Sequence, residues 1–86
     1  MTDTSNEAFQ SVKPHLNELQ KFVLEAIEAG KERGKTPYEV IVMTGLLDYT
    51  ARPRITELKK KGLIRDTGAR RPNVRGRNEI VYVAAA

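Results

Sequence analysis

The chain has 86 residues, 40% of them hydrophobic and 30% charged, with a net charge of +4, no cysteine and a single histidine. One thin-cored domain is the largest unit such a length supports. Disulfides and thiolate metal sites are excluded, and one histidine, His15, makes a structural zinc site implausible.

The charge is unevenly placed. Residues 1–51 carry five basic and eight acidic residues, whereas residues 52–86 carry ten basic residues against Glu57, Asp66 and Glu79. Eight of those bases lie between Lys59 and Arg77, with Asp66 as the only acid among them. That asymmetry points to a polyanionic partner, although a solvated basic face would produce the same count.

In chain order, residues 1–13 open with Thr2-Asp3-Thr4-Ser5-Asn6 and read as a flexible N-terminal tail, with residues 14–86 as the folded domain. The polar start lacks the apolar stretch of a signal peptide, and no apolar run is long enough to cross a membrane. A cytoplasmic protein is expected. Pro14 suits the first position of a helix. Leu16, Leu19, Val23, Ala26 and Ile27 then recur at helical spacing, which predicts a first helix from Pro14 to about Gly30. Residues 31–35 form a polar connection with room for one extra helical turn.

Thr36, Pro37 and Glu39 form a capping-box pattern that predicts a short second helix ending at Gly45. After the apolar turn Leu46-Leu47, Asp48 is a candidate cap for a third helix running to about Lys61, with Ala51, Ile55 and Leu58 facing inward. Pro53 is costly in a helix interior, so the regular helix is expected to start as late as Arg52. Beyond Gly62 the period changes. Leu63 to Arg65 reads as a short strand, Asp66-Thr67-Gly68 as a turn or bulge, Arg70 to Asn78 as an irregular basic loop, and Glu79 to Val83 as a second strand.

The predicted fold is therefore α+β: three helices followed by a two-stranded β-hairpin, the order of a winged helix-turn-helix. In such a motif the third helix enters the major groove with its N-terminal residues on base edges. Those residues are Tyr49, Thr50, Arg52 and Arg54. Arg52 and Arg54 are the expected base readers, since a guanidinium bonds guanine O6 and N7 together. Tyr49 suits a phosphate or sugar. Lys59 lies at the far end of the same helix, where positive charge also complements the helix dipole. Arg70, Arg71, Arg75 and Arg77 would form a second contact on the wing, straddling phosphates or entering a narrow minor groove.

The stretch from Arg52 to Pro72, with Gly76-Arg77 and Ile80-Val81-Tyr82-Val83, resembles small winged helix-turn-helix proteins of bacteriophage and bacterial genomes. The pattern helix, Glu57-Leu58, three lysines, Gly62-Leu63-Ile64 also resembles the broad MarR-like winged-helix group. The resemblance implies duplex DNA as partner, contacted by Thr50, Arg52, Arg54 and the wing, and a role in transcription or replication. Few base contacts fit on one such domain, so a homodimer on a palindromic site is expected. RNA or ribosome binding is an alternative, as is a protein-interaction module docking an acidic partner through the basic wing. No cofactor is implied. An enzyme is not expected, because no nucleophile, carboxylate pair or phosphate-binding glycine loop falls on a pocket-forming element.

Overall fold

The computed structural model describes residues 15–85. The expected tail and Pro14 lie outside the described residues. Helix α1 spans Glu18–Ala29 and begins later than Pro14 suggests. Asn17 caps it: its side chain accepts from the Gln20 amide at 2.8 Å, and the Gln20 side chain accepts from the Asn17 amide at 3.1 Å. This reciprocal box satisfies two amides that a helix start otherwise leaves unpaired. Leu16, Val23, Ala26 and Ile27 are buried as expected. Leu24 is fully buried with Val23 and Ile27, while Leu19 stays partly exposed.

A single 3₁₀ turn, Lys31–Arg33, follows. Lys35 then exchanges two backbone hydrogen bonds with Tyr82, both 2.9 Å, and so lays a short extended segment along the later hairpin. Gly34 makes this approach feasible. Its φ is 75°, and a Cβ there would sit 2.6 Å from the Tyr82 carbonyl oxygen.

Helix α2, Pro37–Thr44, has the expected capping box: Thr36 Oγ1 accepts from the Glu39 amide and Glu39 accepts from the Thr36 amide. Gly45 ends it in the left-handed conformation, with φ 74°. Helix α3 spans Asp48–Lys60, and its N-cap is Leu47, not Asp48. Asp48 is the first helical residue, where its charge still suits the helix N-terminus. Pro53 lies inside the helix without delaying its start. The proline removes one N–H, whose acceptor would be the carbonyl of Tyr49, and both residues are exposed to water. Burial of Ala51, Ile55 and Leu58 on the opposite face holds the helix together.

Strands β1, Ile64–Pro72, and β2, Asn78–Ala84, pair antiparallel. Register runs from Ile64 opposite Ala84 to Asp66 opposite Tyr82, then shifts before Arg70 meets Ile80. The expected turn chemistry at Asp66 to Gly68 is thus a bulge. Asp66 accepts from the Gly68 amide, Thr67 Oγ1 donates to the Val81 carbonyl, and Gly68 takes φ 86°. Because the bulge absorbs these residues, β1 continues through Pro72. The expected long loop from Arg70 shrinks to the turn at residues 73–77, and Arg70 and Arg71 belong to the strand. The core gathers Val23, Leu24 and Ile27 of α1, Val40 of α2, Ile55 and Leu58 of α3, Leu63, and Ile64 and Tyr82 of the hairpin.

Candidate nucleic-acid interface

The start of α3 and the hairpin turn lie on one side of the molecule, and a single carboxylate holds them there. Glu79 Oε2 accepts from Arg52 Nη2 at 2.8 Å and from Asn73 Nδ2 at 3.2 Å. Its Oε1 accepts from the Tyr38 amide at 2.8 Å, in the first turn of α2. The side chain is only 10% exposed. Burial alone would push its pKa up, but the bonds from Arg52, Tyr38 and Asn73 outweigh that and hold it below its ordinary value. Glu79 therefore ties α2, α3 and the wing into one body.

Asn73 carries the clamp into the turn. Its Oδ1 accepts from the amides of Arg75 and Arg77, and its own amide donates to the Arg77 carbonyl at 2.8 Å. Gly76 supplies the positive φ, 78°, that closes the turn. Between helix and turn lies a cleft of about 500 Å³, lined by Asp48, Arg52, Asn73, Arg75, Arg77 and Glu79 among others.

The arginines singled out from sequence divide into two sets. Arg52 bonds Asp48 at 2.7 Å as well as Glu79, and is 39% exposed. Arg54 bonds Glu57 at 2.7 Å, and Glu57 also accepts from the buried Gln20 of α1. These bonds hold the Glu57 carboxyl below its usual range, with Arg54 the larger cause. Arg71 Nη1 lies 3.0 Å from both Glu39 oxygens, and its Nη2 donates to the Arg33 carbonyl. Arg70 pairs with Asp66 but remains 45% exposed. Arg75 and Arg77 are exposed, and their guanidinium groups have no acidic partner among the described residues. Tyr49 is exposed, Thr50 half-buried beside it, and Lys59 exposed at the distal end of α3.

Arg52 and Arg54, the expected base readers, are each held by carboxylates in the free chain, so either would give up those bonds to reach a base. Arg54 is held lower on the helix flank, with its Nε already buried and unbonded among the described residues. Sequence reasoning missed Glu79, Asn73 and Glu39 as the groups that organise this surface. The i, i+4 spacing of Asp48 and Arg52 and the i, i+3 spacing of Arg54 and Glu57 were the visible signals.

Among the described residues, three α-helices, with a tight glycine turn before the last, and an antiparallel hairpin docked beside them define a winged helix-turn-helix. The same arrangement is found in MepR of Staphylococcus aureus. A mutant form of MepR superposes with a TM-score of 0.61 over 92% of this chain at 18% identity. A second MepR structure, described as a transcription regulator of the multidrug efflux pump MepA, gives 0.57 over 90% at 19% identity. The chain spans little more than half the length of those proteins, 56% and 55%. The likeness establishes that the chain has the winged-helix fold seen in MepR. No family model and no curated protein matches the chain.

Proposed function

We propose that the chain binds duplex DNA, with α3 in the major groove and the hairpin turn against the flanking backbone, as a regulator of transcription or replication in a bacterial or phage setting. The observation that carries this is the shared side of two elements. The first turns of α3, at Asp48 and Arg52, and the unpaired Arg75 and Arg77 flank one cleft, fixed in relation to each other by Glu79. MepR, with the same fold, is a transcription regulator. Tyr49 and Thr50 face the groove, Arg75 and Arg77 meet phosphates, and Lys59 and the exchangeable Arg70 add backbone contacts. Two copies on a palindromic site would double this small footprint.

Anisotropy titrations of a fluorescent duplex DNA, and of a duplex RNA of the same length, test the proposal. About four phosphate contacts give a slope of log affinity against log salt of roughly −3 to −4. A slope near zero, or tighter binding to RNA, would reject it. Pull-down of a protein partner without nucleic-acid binding would favour the protein-docking alternative.

A further inference from the structure

On the reading that α3 enters the major groove, we infer that this chain selects A·T-rich duplex DNA, reading thymine methyl groups in the major groove and a narrow minor groove with its wing, and does not read guanine.

The residues opposite the buried Ala51, Ile55 and Leu58 are Tyr49, Pro53, Thr56 and Lys60, all exposed. This stripe holds no asparagine, glutamine or free arginine in its N-terminal half, the part that reaches base edges. The two arginines nearby, Arg52 and Arg54, are held by Glu79, Asp48 and Glu57. Thr56 spends its hydroxyl proton on the Arg52 carbonyl of its own helix. What the N-terminal part of the stripe offers a base pair is therefore a phenol ring with its single hydroxyl, a pyrrolidine ring and the Thr56 methyl, with the half-buried Thr50 beside them. In the major groove the apolar group they complement is the C5-methyl of thymine. Leu47, at the N-cap of α3, is exposed and extends the same apolar character. The Tyr49 hydroxyl and the Lys60 ammonium are the donors left on the stripe; a lone hydroxyl cannot bridge guanine O6 and N7 as a guanidinium does, and Lys60 lies about 16 Å along the helix from Tyr49, near the backbone end.

The wing points the same way. Its tip presents Val74, strongly exposed, beside the unpaired Arg75, with Arg77 closing the turn. Arginine is drawn to the minor groove where it is narrowest and its potential most negative, as in A-tracts. The guanine N2 amino group obstructs that groove, and Val74 has no acceptor for it.

The test uses the full chain and four duplexes of about 20 base pairs, long enough for two half-sites. The first is A·T-rich, the second is the same duplex with every thymine replaced by uracil, the third is G·C-rich, and the fourth is the third with inosine for guanine. Loss of the methyl groups should weaken binding about fourfold for each one contacted. Inosine, which lacks the N2 amino group, should tighten binding to the G·C-rich duplex severalfold. Thr50→Ser and Thr56→Ser, which remove methyls and keep hydroxyls, should shrink the thymine–uracil difference. Equal affinity for the thymine and uracil duplexes, with salt-dependent binding retained, would overturn this inference alone. So would a loss of affinity when 7-deazaguanine replaces guanine. Absence of salt-dependent binding to every duplex would overturn the DNA-binding proposal and this inference with it.

Discussion

Arg71 and Arg75 stand four residues apart on one hairpin and have opposite surroundings. Arg71, 23% exposed, reaches back to Glu39 at the start of α2 and to the Arg33 carbonyl. Arg75, beyond Pro72, faces solvent with no acidic partner among the described residues. The base of the wing is thus an internal fastener and its tip a free cationic surface. Counting arginines along the sequence merges the two. What separates them is where the folded chain delivers its few carboxylates: Glu39, Glu57 and Glu79 each take one arginine out of circulation.

The strongest way to break that division is to remove the fastener. Glu79→Ala should cost about 3 kcal/mol in denaturant unfolding, near the lower end for a broken buried pair because Arg52 is partly open to water. The pH dependence has a definite sign. The folded Glu79 carboxyl is depressed below its unfolded value, so its contribution is complete above the ordinary carboxylate range and lost as pH falls through the depressed value. The stability gap between wild type and Glu79→Gln should hold from neutral pH down to about 5 and narrow below about 4. A gap that persisted unchanged into strong acid would show that the charge on Glu79 contributes nothing.

Next in size comes the pair itself. Arg71→Ala should lose about 1–3 kcal/mol of stability, since Glu39 keeps only the exposed Arg33 at 3.9 Å and the Arg33 carbonyl loses its donor. Its effect on DNA affinity, corrected for the folded fraction, should be small. Arg75→Ala and Arg77→Ala should leave stability within about 0.5 kcal/mol. Each should instead reduce the salt slope by about 1, and Arg75→Ala should weaken binding to A·T-rich duplex more than to G·C-rich duplex. If Arg71→Ala lowered the salt slope as much as Arg75→Ala does, base and tip would not differ in role.

Why the two halves of the hairpin look alike in sequence is a matter of range. Local signals were legible. Thr36-Pro37 with Glu39 set the start of α2, Gly45 its end, and the β-branched run into Val83 set the last strand. The i, i+4 reach from Asp48 to Arg52 was also visible in spacing. The fasteners that matter most were not. Glu79 is 27 residues from Arg52, and Glu39 is 32 residues from Arg71, so nothing in either neighbourhood marks the pairing. Two local readings shifted because a nearer competitor won. The Asn17–Gln20 box started α1 in place of a run from Pro14, and the bulge at Thr67 and Gly68, one of the two expected forms, let β1 continue where a basic loop was expected from Arg70. That extension carries Arg70 and Arg71 off the loop and onto the strand.

Arg70 marks the boundary between the two behaviours and carries the smallest effect. It pairs with Asp66 across the bulge, yet nearly half of its side chain meets solvent. Asp66 is held below the ordinary carboxylate range mainly by the Gly68 amide, with Arg70 a lesser cause. The bulge therefore keeps its main tether when Arg70 is removed. Exposed pairs of this kind add little to folding, because water screens them and two long side chains must be ordered. Arg70→Ala should leave the unfolding midpoint unchanged. Its guanidinium is nonetheless free to trade one carboxylate for a phosphate at little net cost. The substitution should lower DNA affinity by less than Arg75→Ala does, and most visibly at low salt, where a single exposed charge is least screened. An Arg70→Ala protein that unfolded early while binding DNA normally would place this residue with the fasteners and move the boundary of the free surface outward to the turn alone.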